Sequence, residues 1–512
     1  MKNIYKLLFS IGSSCIISSA TAQNMPTLDS SFSEDGWDRS YIHHNGTYLH
    51  NFLLDENNKP LLVMQGNFMS EAHQAMVVRY NTDGTLDETY NGSGIVKTGE
   101  DFSEELYTRA TGSCPTGDGG MYIAADYWYV GERVIKLRAD GTLDPTFGDG
   151  GYADFERDIF SYFFDIEVMM DGTVMVLGRD YFEGPGLVQF FVLALNSDGS
   201  IKTSFGHEGV AAFDLPAGFT DDNVSIWGME AMTDNTLMLH VNLYNDVFNY
   251  KIDGDGMLVT SFSGDGIAMN TVPGELYSSY AMNHFKMDDE NNFWRVYRGY
   301  DSTTFTTLDR VMKINADGTL NPISFNNGFS LNNNLQLEYF LHWSNNKIYL
   351  AGTEHSDPTK QHLFRFNEDG TPDNTFNSTG RWSFPEDVPY LRDVQMLTDT
   401  AGNMFIAGID NENSDSIRHV VIKIKNAESP IVTSINTPIA NQLQVSISPN
   451  PVKNILFVSS SEATSINLYN ISGRLIHKNQ PAKQHMLQMS ELTPGTYIMR
   501  MGSKSYKIVK SE

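Results

Sequence analysis

The sequence has few cysteines and no long apolar run in its body. Its two cysteines are Cys15 and Cys114, and Cys15 lies in a stretch of residues 1–22 that is basic, then apolar, and ends in Ala-Thr-Ala. That pattern predicts a cleaved secretory signal peptide over 1–22, which leaves Cys114 alone and excludes an intramolecular disulfide. No later apolar run approaches bilayer length, so we expect no transmembrane segment in the mature chain.

Basic residues are scarce and unevenly distributed. The 512 residues include 35 Lys and Arg against 63 Asp and Glu, for a formal net charge of −28. From Asn441 onward eight basic and three acidic residues give +5, so the preceding part carries −33. So negative a body disfavours nucleic acid and anionic membranes as partners. The change of sign indicates a separate C-terminal domain over 442–512, after a linker at 428–441 that contains two prolines.

The motifs of common catalytic and cofactor sites are missing. The chain has no Gly-x-Ser-x-Gly, His-Glu-x-x-His, Gly-x-x-x-x-Gly-Lys or Cys-x-x-Cys sequence. His43, His44 and His50 form the tightest histidine group, but adjacent residues of a strand point to opposite faces, which argues against a shared metal. Acid pairs such as Glu104 and Glu105 leave a glycosidase pair open, although solvated loop acids explain them better. We therefore expect no cofactor, no metal and no enzymatic activity.

One phrase is repeated along most of the chain. Residues 137–151 read LRADGTLDPTFGDGG, and five other stretches repeat the Asp-Gly pair followed by an aromatic residue. Asp-Gly suits the positive φ of tight hairpin turns, and the surrounding runs are rich in β-branched and aromatic residues. A period of this length fits a four-stranded blade. The aromatic residues recur every 51 to 63 residues, at Phe32, Tyr90, Phe147, Phe205, Phe262, Phe325 and Phe376.

The two ends of the repeat array complement each other. His419–Lys425 repeats the strand without the turn and the aromatic residue, whereas Leu28–Phe32 supplies the aromatic residue without the preceding strand. If the two ends pair, a ring closes and few sheet edges stay unpaired. The sequence therefore predicts an all-β protein, with a seven-bladed β-propeller over 25–427 followed by a small C-terminal β-sandwich. An open β-solenoid is the alternative.

The phrase resembles the bacterial delta-60 repeat, which is understood as a β-propeller repeat and carries no assigned chemistry. Three copies depart from its Leu-Asp step, where they have Ile201-Lys202, Leu258-Val259 and Leu320-Asn321. The same departures argue against structural calcium, because a set of metal ligands is expected to be kept around one ring.

The C-terminal segment carries three landmarks in order, the sequences PNP, YNISGR and GTY. They resemble those of the type A C-terminal sorting domain of the type IX secretion system, with small departures at Ser448 and Asn470. The resemblance implies the type IX secretion machinery as a partner and export across the outer membrane, so we expect a secreted protein or one on the outer face of the outer membrane. The motif residues are Pro449, Asn450, Pro451, Gly473, Arg474, Gly495 and Tyr497.

Aromatic residues also follow the second strand of several repeats. Equivalent loops of a propeller lie on one side of the ring, so these residues could form a rim on which a sugar stacks, although packing between blades is the more ordinary explanation. The function we predict is that of an exported, non-catalytic module that binds a glycan, a peptide or a surface protein. The alternative is an extracellular hydrolase or lyase acting on polysaccharide. The rim residues are Tyr127, Trp128, Tyr129, Tyr181, Phe182, Tyr244 and Tyr300.

Overall fold

The computed structural model divides the chain into two compact units, Met1–Ile431 and Val432–Glu512. Its described residues form strands and turns and include no helix, and so none that could cross a membrane. The all-β prediction is confirmed. The described residues are 25–40, 48–68, 71–98, 108–127, 131–156, 160–181, 188–216, 224–243, 246–271, 285–288, 290–301, 306–321, 329–330, 335–354, 357–399, 401–410, 418–425, 427, 445–448, 452–470, 475–490, 492–501 and 504–511.

Seven antiparallel sheets make up the described part of the first unit. Two short strands come first, β1 (Thr27–Leu28) and β2 (Trp37–Ser40), and six sheets of four consecutive strands follow. Sheets 1 to 3 consist of β3 (Tyr48–Leu54), β4 (Pro60–Phe68), β5 (Glu71–Arg79) and β6 (Ile95–Thr98); β7 (Thr108–Pro115), β8 (Met121–Tyr127), β9 (Gly131–Leu137) and β10 (Tyr152–Glu156); and β11 (Phe160–Val168), β12 (Val174–Tyr181), β13 (Val188–Leu195) and β14 (Val210–Phe213).

The next three sheets repeat this order, and the seventh draws on both ends of the array. Sheets 4 to 6 consist of β15 (Val224–Ala231), β16 (Leu237–Leu243), β17 (Asp246–Ile252) and β18 (Ile267–Thr271); β19 (Phe285–Met287), β20 (Phe293–Asp301), β21 (Thr306–Ile314) and β22 (Phe329–Ser330); and β23 (Leu335–Ser344), β24 (Lys347–Glu354), β25 (Asp357–Asn367) and β26 (Arg381–Ser383). Sheet 7 joins β27 (Leu391–Thr398), β28 (Met404–Asp410) and β29 (Arg418–Lys425) to β1 and β2.

Each sheet packs on its neighbour through an apolar core. In the described part of the chain, seven clusters of buried side chains lie between consecutive sheets, and one of them joins sheet 7 to sheet 1. A row of sheets in which the last packs on the first is a closed ring. This arrangement confirms the β-propeller prediction, and burial between sheets is the main force that holds the ring together.

The start of the chain closes the ring. β1 pairs with the end of β29, and β2 pairs with its first half. The predicted pairing of Leu28–Phe32 with this strand is confirmed at Leu28, but most of the pairing comes from β2, which takes the place of a fourth strand. Phe32 is fully buried between sheets 7 and 1, where its ring meets the Phe405 ring edge-on at 6.1 Å. β2 begins five residues after Phe32, as β10 begins five residues after Phe147, so its position in the repeat is that of a fourth strand.

The repeated phrase forms the contact between neighbouring repeats. Gly141 has a φ of 83°, and a Cβ at this position would lie 2.9 Å from the Tyr90 ring of the preceding repeat. The Asp140 carbonyl accepts a hydrogen bond from the Asn91 amide at 2.7 Å. The turn and the aromatic residue recur together because each turn packs on the aromatic residue of the repeat before it. The same backbone bond joins Ser33 to Asp83, Gly148 to Asp198 and Gly206 to Asp255.

The second unit contains one sheet of five strands around its own apolar core. The sequence predicts a small β-sandwich here, and the described strands form a single sheet. The long strand β31 pairs with β30, β32 and β33, and register irregularities interrupt its pairing with β32. Such irregularities bend a strand, which lets a single sheet wrap around a core. The strands are β30 (Val445–Ser448), β31 (Ile455–Asn470), β32 (Leu475–Gln488), β33 (Gly495–Met501) and β34 (Lys504–Lys510).

Candidate functional site

A cavity of about 210 Å³ lies at the centre of the ring. Its walls come from the first strands of six sheets, namely β3, β7, β11, β15, β19 and β27. Since the first strands of the blades face the axis of a propeller, the cavity belongs to the central channel. Sites for drug-sized ligands occupy roughly 300–1,000 Å³, so this cavity suits a smaller molecule.

A β-bulge interrupts the first strand in six of the sheets. In three of them, the side chain of the residue after the bulge reaches across to a neighbouring sheet. Asn51 Nδ2 donates to Ser113 O at 2.9 Å, and Gln395 Nε2 donates to His50 O at 3.2 Å. A bulge re-aims a side chain that regular pairing would direct elsewhere. These bonds tie the inner strands to one another around the cavity.

Asp165 occupies the corresponding position in sheet 3. Its Oδ1 accepts a hydrogen bond from Ile166 N, and its Oδ2 accepts one from Met229 N of sheet 4, both at 2.9 Å. Gly112 of sheet 2 allows the close approach, because a Cβ there would lie 2.7 Å from Asp165 Cα. Burial raises the pKa of Asp165 to about 7, although the two backbone hydrogen bonds oppose the shift. This carboxyl therefore links two sheets and titrates near neutral pH.

Glu167 of β11 and Glu230 of β15 line the cavity beside Asp165. Burial is the largest cause that raises the pKa of Glu167, followed by the negative charges of Glu230 and Asp165. Burial also raises the pKa of Glu230, while the charge of Lys286 opposes that shift. All three side chains are partly buried, and the raised pKa of each carboxyl group favours its protonated form.

Lys286 of β19 is the only lysine or arginine among the described residues that line the cavity. Its positive charge favours the ionised form of all three carboxyl groups. Burial first, and then the same charge, lower the pKa of His342 to about 3, so this histidine stays neutral. His342 Nε2 lies 3.0 Å from Thr398 Oγ1. Acids from two sheets and a lysine from a third thus set the charge of the site.

This arrangement can hold a small polar or charged molecule through hydrogen bonds. A carboxyl group that titrates near neutral pH is also able to act as a general acid. Among the residues that the structure describes, no three or more His, Cys, Asp and Glu side chains are placed to share a metal ion.

The sequence patterns do not single out the acids of the cavity. Residues 165 and 167 alternate along a strand and therefore share one face, which is a usable signal. No such signal predicts that these two residues meet Glu230 and Lys286, which lie 63 to 121 residues further along the chain. Only closure of the ring brings them together.

Two family models match parts of the chain. Residues 446–511 match the secretion system C-terminal sorting domain. Residues 116–147 and 344–376 match the domain of unknown function (DUF5122) beta-propeller. The chain is a β-propeller protein with a C-terminal sorting domain. The sorting domain indicates export to the cell surface or beyond.

Solved structures give distant likenesses to this propeller protein, and no curated protein matches it. Polysaccharide lyase Uly1 is 10% identical over 76% of this chain and 91% of its own, with a TM-score of 0.46. The beta-propeller domain of the Trilobed protease from Pyrococcus furiosus is 8% identical over 79% and 100%, with a TM-score of 0.38. PorZ, a surface component of the type-IX secretion system of Porphyromonas gingivalis, is 11% identical over 91% and 82%, with a TM-score of 0.22. At these values the likeness carries no information on ligand or activity.

The predicted sorting residues fall partly within the described sorting domain. Gly495 and Tyr497 lie on β33, and the buried Tyr497 hydroxyl donates to Thr493 O at 2.9 Å. This bond fixes the loop that leads into β33, which gives the landmark tyrosine a structural role in the domain. The other five, Pro449, Asn450, Pro451, Gly473 and Arg474, lie outside the described residues.

The predicted aromatic rim of the propeller stays a prediction. The backbone of Tyr127, Tyr181 and Tyr300 is described, and it places all three at or next to the end of the second strand in sheets 2, 3 and 5. Their side chains are not among the described parts of the structure. The remaining rim residues, Trp128, Tyr129, Phe182 and Tyr244, lie outside the described residues altogether.

The second acid of the repeated phrase forms a buried ion pair. Asp87 Oδ2 lies 2.7 Å from Arg79 Nε and 2.8 Å from Lys59 Nζ, and Oδ1 accepts bonds from the Thr89 amide and hydroxyl. Turn formation and charge pairing thus explain why this acid recurs. The equivalent pairs are Asp29 with Lys423 and Lys425, Asp144 with Lys136, and Asp373 with Lys347 and Arg365. In one copy that lacks the acid, Lys202 pairs with Asp171 instead.

Replacing Asp87 by Asn is expected to lower the free energy of unfolding by about 3 kcal/mol, since it leaves two cations without their buried partner. Asp83, in the preceding turn of the same repeat, accepts equivalent bonds from Thr85 but is exposed. Asp83→Asn is therefore the matched control, with an expected loss under about 0.5 kcal/mol. Urea denaturation measures both, and equal losses would contradict a special role of the buried pair.

The same pair predicts a pH dependence. Burial would raise the pKa of Asp87, but hydrogen bonds from Lys59 and Thr89 and the charge of Arg79 outweigh it and hold the pKa well below 3.8. A carboxyl group with a lowered pKa stabilises the fold above its unfolded value and loses that contribution as the pH falls. The stability difference between wild type and Asp87→Asn should thus be constant at about pH 5–7 and shrink below about pH 3.8.

Proposed function

We propose that this protein is an exported, non-catalytic binding module that the type IX secretion system delivers to the cell surface or the medium. Its ligand site is the cavity at the centre of the propeller. The observation that carries this proposal is the lining of that cavity, in which acids from two sheets and a lysine from a third face a shared space. Burying ionisable groups around a cavity costs stability, so their presence at the channel centre favours a role in binding.

The alternative is an extracellular hydrolase or lyase acting on polysaccharide. A carboxyl group with a raised pKa beside other carboxylates favours this reading, because glycosidases use such a pair. The cavity volume of about 210 Å³ speaks against it, since it is smaller than the sites that hold drug-sized ligands, and a polysaccharide chain is larger still. The predicted aromatic rim would give a glycan-binding module a larger surface at the channel mouth.

Ligand binding to the cavity is expected to raise the melting temperature of the full-length mature protein. A screen of amino acids, short amines, small carboxylic acids, monosaccharides and dipeptides, together with a glycan array, tests it by thermal shift and then calorimetry. A ligand at a hundredfold its Kd adds about 2.7 kcal/mol of stability. Thr111→Phe, which fills the cavity from β7, should abolish the shift, whereas Thr233→Phe at an exposed turn should leave it unchanged.

Two results would overturn the proposal. If no compound binds, or if binding survives Thr111→Phe in a folded protein, the cavity is not the ligand site. If the wild-type protein releases reducing ends or unsaturated products from polysaccharides, and Glu230→Gln stops the release, the protein is an enzyme.

A further inference from the structure

Two exposed apolar side chains lie side by side on the outer face of the sorting domain. In the pairing of β31 with β32, Phe457 stands directly opposite Met486. Their neighbours Leu456, Val458 and Leu487 are buried in the core of the domain, whereas Phe457 and Met486 are 53% and 58% exposed. Directly opposite residues of an antiparallel pair have Cβ atoms about 4.5–5.5 Å apart, so these two side chains form one apolar patch.

This patch differs from the single apolar residues that any protein surface carries. Among the described side chains of the sorting domain, no other large apolar one is exposed. On the propeller, the exposed Met269 stands opposite the buried Phe248, and the exposed Met257 directly follows a turn. Single exposed residues of that kind need no explanation, but a contiguous apolar patch indicates a contact with a partner.

The patch lies beside an open edge of the sheet. In the described part of the domain, β32 pairs with β31 alone. Lysine and proline protect an edge strand against pairing, and Lys478 and Pro481 fall in the first half of β32. Its second half has Gln484 and Gln488 on either side of Met486. That half can therefore accept a further strand, whose alternate side chains would contact the patch.

Charge decides between a second copy of the domain and a different partner. The chain from Asn441 onward carries eight basic and three acidic residues, for a net charge of +5. Lys453 and Lys483 are exposed beyond opposite ends of the patch. Two copies joined at this edge would bring like charges together, which costs binding energy, whereas a partner with carboxylates gains from them. The surface therefore fits an acidic partner better than a second copy.

We propose that the type IX secretion machinery holds the sorting domain by adding an extended strand along the second half of β32. An apolar side chain of that strand packs on Phe457 and Met486, and its carboxylates face Lys453 and Lys483. The match of residues 446–511 to a sorting domain is what gives this unit a partner in export. This inference rests on the proposed function, in which the machinery delivers the protein, and adds the surface on which it acts.

The test is export of the full-length protein by cells that contain the machinery. Met486→Lys and Phe457→Ser should each reduce the exported fraction at least about tenfold, because the central residues of an interface carry most of its binding energy. Met257→Lys is the matched control, since this residue is 64% exposed on the propeller, and its export should equal that of wild type. A photoreactive residue at position 486, but not at 257, should crosslink to a component of the machinery in intact cells.

The outcomes separate this inference from the proposed function. If removal of residues 442–512 blocks export while Met486→Lys and Phe457→Ser leave it at the wild-type level, the inference fails and the sorting role stands. If the truncated protein is exported normally, both fail. If the wild-type protein is a dimer that Met486→Lys dissociates, the surface joins two copies and the inference is wrong. Melting curves of the retained variants distinguish lost export from lost folding, and Met486→Gln replaces the lysine variant if that variant does not fold.

Discussion

A mature chain that lacks residues 25–40 is expected to lose most of its stability. The deletion removes β1, β2 and Phe32, so sheet 7 loses two strands and the core between sheets 7 and 1 opens. Loss of a buried phenylalanine alone costs about 3–5 kcal/mol. We expect the melting temperature of the propeller to fall by at least about 10 °C, and the exposed edge of β29 to promote association.

A point variant makes the same test with less disruption. Phe32 and Phe147 occupy the same position of the repeated phrase, and both are fully buried. One lies at the closure, and the other lies between sheets 2 and 3. If the closure is as tight as the other contacts, Phe32→Ala and Phe147→Ala should cost similar amounts, about 3–5 kcal/mol each. Scanning calorimetry and urea denaturation measure both losses. A Phe32→Ala protein as stable as wild type would show that the ring does not depend on its N-terminal strands.

Removal of residues 442–512 is expected to reduce the amount of protein exported from the cell to almost nothing. The sorting domain belongs to a second compact unit of the chain and has its own sheet and apolar core. The propeller should therefore fold without it, because the inter-sheet cores seen among the described residues are all made by residues before 432. Fractionation of cells and medium, with a melting curve of the retained protein, measures both expectations.

The converse experiment serves as the control. Residues 428–512 fused to a periplasmic reporter protein should carry the reporter out of a cell that has the type IX machinery. A cell without that machinery should retain it. Export of the truncated propeller at the wild-type level, or failure of the fusion to leave the cell while its sorting domain is folded, would contradict the assigned role of the domain.

The fold was predictable because its signals are local and repeated. Asp-Gly at a turn, such as Asp140-Gly141, reports the backbone geometry that it needs, and an aromatic residue at a fixed distance reports the contact to the next repeat. The missing pieces at the two ends predict closure for the same reason. The position of β2 follows the same local pattern, since Trp37 comes five residues after Phe32, whereas its partner β29 lies at the far end of the chain. The sorting landmarks were equally readable, since each is a short motif in a fixed order.

The candidate site was not predictable, for a physical reason. The sequence by itself determined the strands, their turns, the order of the sheets and the presence of a sorting domain, all of which depend on neighbours in the chain. Asp165, Glu167, Glu230 and Lys286 are ordinary charged residues in an acidic chain until the ring brings three inner strands together. The tertiary structure decided their burial and mutual distances, and burial is what raises the carboxyl pKa values. It likewise decided that the recurring acid represented by Asp87 serves an ion pair, because Lys59 and Arg79 reach it only across the folded sheet.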